Sequence, residues 1–277
     1  MHCNHCLFYV AGLFVAYAFD DISQKKVATQ SHTPEGQNTE ASNAVDRKTS
    51  TCMRTLPIGR NNPQKTVWWK VDLDGVYNIQ SINILFKNYD GYEDRQRGRF
   101  AGFSLYVSNT GVIQGSRLCY KNGPHDHLPP LNFTAICPES GRYVIFYNER
   151  YAGSTYPTGS ELENVFTELC EVIVKGCNNP SFYGSKCDIP CPTNCSDSTC
   201  HIQSGACFTC KPGWTGIHCN KTCTDGWYGV NCSQQCVGHC RDGVTCNQQT
   251  GQCDTGCDKG WTGVMCDKGI LEGGKKD

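Results

Sequence analysis

Sixteen cysteines in the C-terminal part of this 277-residue chain fall into two octets, a pattern whose natural chemistry is disulfide formation. Cys177, Cys187, Cys191, Cys195, Cys200, Cys207, Cys210 and Cys219 make the first; Cys223, Cys232, Cys236, Cys240, Cys246, Cys253, Cys257 and Cys266 make the second. Each cysteine of the first recurs 45 to 47 residues later. A period this steady marks a duplicated unit. Cysteine this dense marks a unit held by disulfides in place of an apolar core. Eight cysteines allow many pairings, so the spacing leaves connectivity open. Cys207-x-x-Cys210 has the spacing of a zinc or redox site, but in an evenly paired array the disulfide reading prevails. His125-Asp126-His127 alternates two imidazoles, yet no further ligand lies nearby, and Gly-Pro and Pro-Pro boundaries mark a solvated loop. No serine nucleophile elbow, zinc helix motif or phosphate loop occurs. The chain therefore reads as a recognition protein and not an enzyme.

Such cysteine usage implies an oxidising compartment. Leu7 to Phe19 is an uncharged apolar run ending beside Ala16-Tyr17-Ala18, an A-x-A signal, although no Lys or Arg precedes it. The expectation is a signal peptide over 1–18, with the mature chain starting near Phe19. The run is too short to span a bilayer. Its removal would take Cys3 and Cys6 with it and leave 22 − 2 = 20 cysteines, an even number. No second apolar segment follows, so the expectation is a secreted protein, or a fragment or isoform of a longer receptor. Net charge is −1, from 25 basic and 26 acidic residues, without a basic stripe. Nucleic acid and anionic membrane are poor partners for such a surface. Sequons at Asn132, Asn194, Asn220 and Asn231 are candidate glycan sites; Asn194 and Asn231, with cysteine in the middle position, are the two expected to stay unused.

The elements that must carry any site lie upstream. About 150 residues with four cysteines are enough to bury a core. Short apolar or alternating runs recur at Val67–Leu73, Ile79–Phe86, Phe103–Val107, Tyr143–Tyr147 and Glu171–Val174, with Gly, Asn, Asp and Pro between them. No helical stripe stands out. Many short strands between turn signals predict an all-β sandwich over 25–175. The Trp68-Trp69 pair should place one ring in the core and one on the opposite face. Residues 177–222 and 223–266 are the two repeats, and 267–277 reads as a flexible tail. Phe182-Tyr183-Gly184, Gly213-Trp214-Thr215-Gly216, Gly226-Trp227-Tyr228-Gly229 and Gly260-Trp261-Thr262-Gly263 each precede a cysteine, and their aromatics should cover the adjacent disulfides.

The repeats resemble EGF-like modules of the eight-cysteine, laminin-like kind found in multiple-EGF-domain scavenger receptors, without the acidic start of calcium-binding EGF modules. The upstream domain resembles the F-type lectin (fucolectin, tachylectin, pentraxin-like) family, a relative of discoidin domains. The resemblance rests on Ala28-Thr29-Gln30-Ser31, Glu40-Ala41-Ser42-Asn43-Ala44-Val45-Asp46, Trp68-Trp69-Lys70-Val71-Asp72-Leu73, Gly141-Arg142-Tyr143-Val144 and Leu169-Cys170-Glu171-Val172. It implies an eight-stranded jelly-roll β-sandwich and disulfides Cys52–Cys170 and Cys119–Cys137. It also implies a structural calcium ion held by Asn43, Asp46, the Lys48 carbonyl, Thr51, the Cys170 carbonyl and Glu171, an oxygen set that suits a hard cation. The family's sugar-gripping His and two Arg map onto Arg54, Lys87 and Arg99, with no R-G-D after Lys87. Three basic groups around one pocket would favour an acidic or sulfated glycan over a neutral fucosylated one, and lysine does not reproduce arginine's fork. The implied function is calcium-stabilised glycan recognition on microbes or host cell-surface glycoproteins. The EGF-like repeats would serve as stalk or protein-binding surface, and a homo-oligomer would give avidity. The alternative is an adhesion or scavenger-receptor ectodomain for protein or polyanionic ligands.

Overall fold

The computed structural model describes residues 19–270 apart from 60, 61 and 64. The leader expected at 1–18 and positions 271–277 of the tail lie outside the described residues. The sandwich uses β1 (Asp20–Asp21), β2 (Val27–Gln30), β3 (Met53–Arg54), β4 (Ile58–Gly59), β5 (Thr66–Phe86), α1 (Glu93–Phe100), β6 (Ser104–Ser108), β7 (Arg117–Lys121), β8 (Asn132–Ile136), β9 (Ser140–Glu149), β10 (Asn164–Val165) and β11 (Glu168–Gly176). Nine of these strands form two antiparallel layers. In one layer β11 pairs β1 and β3 on one side and the second half of β5 on the other, and β8 follows β5. In the other layer the order is β2–β5–β9–β6–β7, through the first half of β5.

The apolar runs Val67–Leu73 and Ile79–Phe86 are thus one strand. Its register slips between Asp72 and Tyr77, where Asp74 takes φ 68°, and the ribbon crosses from one layer to the other there. Both halves alternate in burial, so each contributes one face to a shared core. Trp69, Val71, Ile82, Ile84, Phe86, Phe103, Phe146, Leu169 and Val172 fill it. Trp69 is fully buried and its Nε1 donates to the Ala41 carbonyl at 2.9 Å, while Trp68 is half-buried on the outer face beneath the Lys70 ammonium. A fully buried apolar side chain in this core contributes about 1.5–3 kcal/mol. Cys52 is bonded to Cys170 and Cys119 to Cys137.

A helix stands where the sequence suggests none. In α1, Glu93 and Asp94 begin and Arg97 and Arg99 end the segment, an arrangement that complements the helix dipole. Only Gln96, Gly98 and Phe100 turn inward, so no apolar stripe announces it. Phe100 stacks on Phe86 at 4.5 Å. A Cβ on Gly98 would lie 2.4 Å from the Gly159 carbonyl oxygen, so glycine permits this close approach.

The repeats share one connectivity. Within each octet the first cysteine pairs the second, the third the fifth, the fourth the sixth and the seventh the eighth. The second repeat's buried cluster is its own cysteines with Tyr228 and Trp261 packed on them. The first residues of the expected tail are structured: Lys268–Gly269 pairs with Trp261–Thr262 as Lys221–Thr222 pairs with Trp214–Thr215.

Candidate functional site

At one end of the sandwich β3, the loop after β5, α1 and the start of β11 enclose a cavity of about 480 Å³, lined by Arg54, Tyr89, Asp90, Tyr92, Arg95, Gln96, Arg99 and Glu168. Arg54 and Glu168 are cross-strand partners in the β3–β11 ladder, which brings the Arg54 Nε to 3.6 Å from Glu168 Oε1. Gln30 Nε2 holds the Arg54 carbonyl at 2.8 Å. Arg99, from the last turn of α1, donates from Nε to Glu161 Oε2 at 3.1 Å and from Nη1 to Gln96 Oε1 at 2.8 Å. Both guanidinium groups lie over Phe166, at 5.7 Å for Arg54 and 4.7 Å for Arg99. The Tyr89 hydroxyl donates to Glu168 Oε1 at 3.0 Å. Its pKa is raised by lost solvation and then by the Glu168 charge. Tyr89 and Tyr92 are exposed and offer ring faces at the mouth.

Of the three basic residues that the family resemblance selects, two meet here. Lys87 does not line the cavity; its ammonium sits 5.6 Å above the Tyr89 ring and its backbone N–H donates to the Glu168 carbonyl. Of the three basic groups expected around one pocket, Lys87 stands outside the lining, and Arg54 and Arg99 line it and each face a carboxylate. Sequence reasoning missed Glu168, Gln96, Glu161 and Phe166. The one available signal was an acid at the head of β11, three residues before the Glu171 that the family resemblance selects.

The loop from Asn43 to Thr51 leads through Cys52 into β3, which carries Arg54. Asp46 accepts the Lys48 N–H at Oδ1 (2.8 Å) and the Thr51 hydroxyl at Oδ2 (2.7 Å). Asn43 Nδ2 donates to the Asn38 carbonyl at 3.0 Å. The Cys52–Cys170 bond ties this loop to β11, which places Glu171 against it. Glu171 is 4 % exposed and neither carboxylate oxygen has a hydrogen-bond partner. Burial, then the charges of Asp46 and Asp21, push its pKa up to about 7. Asp21 is a third acid that sequence reasoning did not select. Among the described residues no cluster of three His, Cys, Asp or Glu side chains forms a metal site. An ion here would instead draw on carboxylate, amide, hydroxyl and carbonyl oxygens. The buried Glu171 carboxylate, whose raised pKa Arg47 offsets only in part, fits such an ion, which would supply further positive charge.

Other sequence candidates are dispersed. His125, Asp126 and His127 are exposed, and Asp126 accepts the Gly123 N–H. Asn132 and Asn220 are exposed. Asn194 Nδ2 donates to the Cys219 carbonyl at 3.1 Å, and Asn231 Oδ1 accepts the Cys210 N–H at 2.8 Å.

Fold and site together describe an antiparallel β-sandwich joined to a disulfide-rich array. Fucolectin of Anguilla anguilla is 29 % identical over 161 residues, covering 57 % of this chain and 92 % of that protein. No family model matches the chain. The crystal structure of a fucolectin from striped bass (Morone saxatilis) serum aligns with TM-score 0.43 and 24 % identity over 58 % of this chain, which spans half the length of that one. The lectin-binding domain of lectinolysin, His 62 mutant, complexed with Lewis b aligns with TM-score 0.40 and 19 % identity over 58 % of this chain and 98 % of that domain.

Proposed function

We propose that the protein is a secreted glycan-recognition protein that binds sugar in the cavity between β3, α1 and β11. The carrying observation is the convergence of Arg54, Arg99, Gln96 and Glu168 beside two exposed tyrosines. Fixed polar groups that orient a ligand against aromatic faces are what a small-ligand site requires. The homologous protein's name, fucolectin, points to fucose. Calcium held by Asn43, Asp46, the Lys48 carbonyl, Thr51, the Cys170 carbonyl and Glu171 would neutralise the buried acids and fix the loop that leads into β3. The chain's own residues do the binding: guanidinium groups donate to ring and hydroxyl oxygens, and tyrosine faces cover apolar C–H groups. Extracellular location is supported by ten disulfides and by the absence, among the described residues, of a helix long and apolar enough to cross a membrane. A glycan array with the protein from Phe19 onward, in calcium and in chelator, tests the reading. Calcium-dependent binding weakened at least ~10-fold by Arg99→Ala is expected, since hydrogen bonds to charged groups carry that much. A folded sample that binds no glycan overturns it and turns attention to protein partners.

A further inference from the structure

Two guanidinium groups from different elements share one ring. Arg54 stands on β3 and Arg99 in the last turn of α1, and both line the cavity. The centre of the Phe166 ring lies 5.7 Å from the Arg54 guanidinium carbon and 4.7 Å from that of Arg99. Both fall within the ~6 Å at which a phenyl face attracts a cation. Phe166 itself is buried and outside the lining. Its neighbours in the chain hold it from both sides. Val165 pairs with Ile58 across β10 and β4 and packs with Val67 in a small buried cluster. The Thr167 N–H donates to Thr55 Oγ1 and the Thr55 N–H to the Thr167 carbonyl, both at 3.1 Å. The polar partners serve each arginine separately. Glu161 and Gln96 bond Arg99, while Glu168 stands 3.6 Å from the Arg54 Nε, an ion pair too long for a hydrogen bond. The ring is common to both.

Resting on the glycan-binding reading of this cavity, we infer that Phe166 is its positioning residue: one buried ring aligns the Arg54 and Arg99 guanidinium groups so that both offer N–H donors to the same ligand. A guanidinium is a planar fork, and a phenyl face that takes its plane leaves its N–H edge for a ligand. β3 and α1 are separate elements, so a ring that both arginines meet fixes one fork relative to the other. Long arginine side chains lose rotamer freedom when a ligand orders them; forks already aligned lose less, and the saving appears as affinity. Leucine at position 166 would keep an apolar side chain in the core but has no face to offer a cation.

The test is calorimetric titration of the full chain with a fucosylated oligosaccharide, for wild type, Phe166→Leu, Arg99→Lys, the double variant of these two, and Arg99→Ala. Melting temperature verifies that each variant is folded. The arginine Nε–H signals are followed by NMR without ligand, because the magnetic shielding of an aromatic ring displaces N–H signals close to it. Phe166→Leu should weaken binding about 10-fold and move the Arg54 and Arg99 signals together. Lysine has no planar fork, so the double variant should lose less than the two single losses combined. If Phe166→Leu does not fold, Phe166→Met takes its place in every comparison. Losses that simply add overturn the inference. So does wild-type affinity in a folded Phe166→Leu while Arg99→Ala abolishes binding, a result that leaves glycan recognition itself standing. A folded wild type that binds no glycan overturns both.

Discussion

Arg150 shows how much of the site depends on a residue outside its lining. It is 3 % exposed and donates to the carbonyls of Glu161 (2.6 Å), Glu149 (2.7 Å) and Arg99 (3.0 Å) and to Asn148 Oδ1 (2.8 Å). Burial lowers its pKa to about 10, so it stays charged at neutral pH. Its fork bridges the end of α1 and the segment bearing Glu161, the two pieces that aim Arg99. Arg150→Met should lower stability by about 3 kcal/mol in urea denaturation, because several buried carbonyls lose their donor. It should also weaken sugar binding; unchanged stability would contradict this account. At the Asn43–Thr51 loop, the proposed calcium site predicts that Asp46→Ala abolishes any rise in melting temperature produced by calcium, and an equal calcium response in mutant and wild type would refute the assignment. Arg54 and Arg99 were legible because a family pattern selects them. Glu168, Gln96 and Arg150 were not, since what distinguishes them is buried polarity, which exists only once β11, α1 and β9 have come together.

Strands were more legible than their connections. Alternation marked both halves of β5, but a bend within one strand and a turn between two leave the same trace: a polar Asp72-Leu73-Asp74-Gly75 stretch. The short α1 escaped notice because three inward residues, one of them glycine, carry no amphipathic signal. Where β5 meets β9, Arg142 forks onto Asp72 with both bonds at 2.8 Å, and this hydrogen bonding holds the Asp72 pKa at about 2 against an ordinary 3.8. A carboxylate depressed in the folded state contributes its full stability above the unfolded value and loses it as pH falls through the folded one. Both side chains are only half-buried, so solvent screening keeps their contribution small. In acid titrations followed by circular dichroism, Asp72→Asn should flatten the stability loss between about pH 4 and pH 2. An acid limb identical to wild type would show that the pair contributes nothing.

The β-sandwich head meets its array at several points, and one buried residue makes the densest set of bonds between them. Asn78 is fully buried; its Nδ2 donates to the carbonyls of Pro180 (2.8 Å) and Phe182 (2.9 Å), and its Oδ1 accepts the Cys200 N–H (3.2 Å). Asn78→Ala should leave these groups unpaired and speed proteolysis between head and array; wild-type protease resistance would count against that role. The repeats depend on a different source of stability. Their disulfides close loops of 9 to 13 residues, each contributing about 2–4 kcal/mol, where the head has a packed core. Mild reduction should therefore unfold the array first. Loss of the head's β-sheet signal at the weakest reducing condition would contradict that order.

The hydrogen bond from Asn194 to the Cys219 carbonyl turns that sequon into a record of timing. Its amide nitrogen is the atom to which an oligosaccharide would be attached, and it is committed once the chain around Cys210–Cys219 has closed. Were a transferase to meet this chain, it would have to act on that nitrogen before the loop closed, and any carbohydrate found at Asn194 would mark molecules whose first repeat matured late.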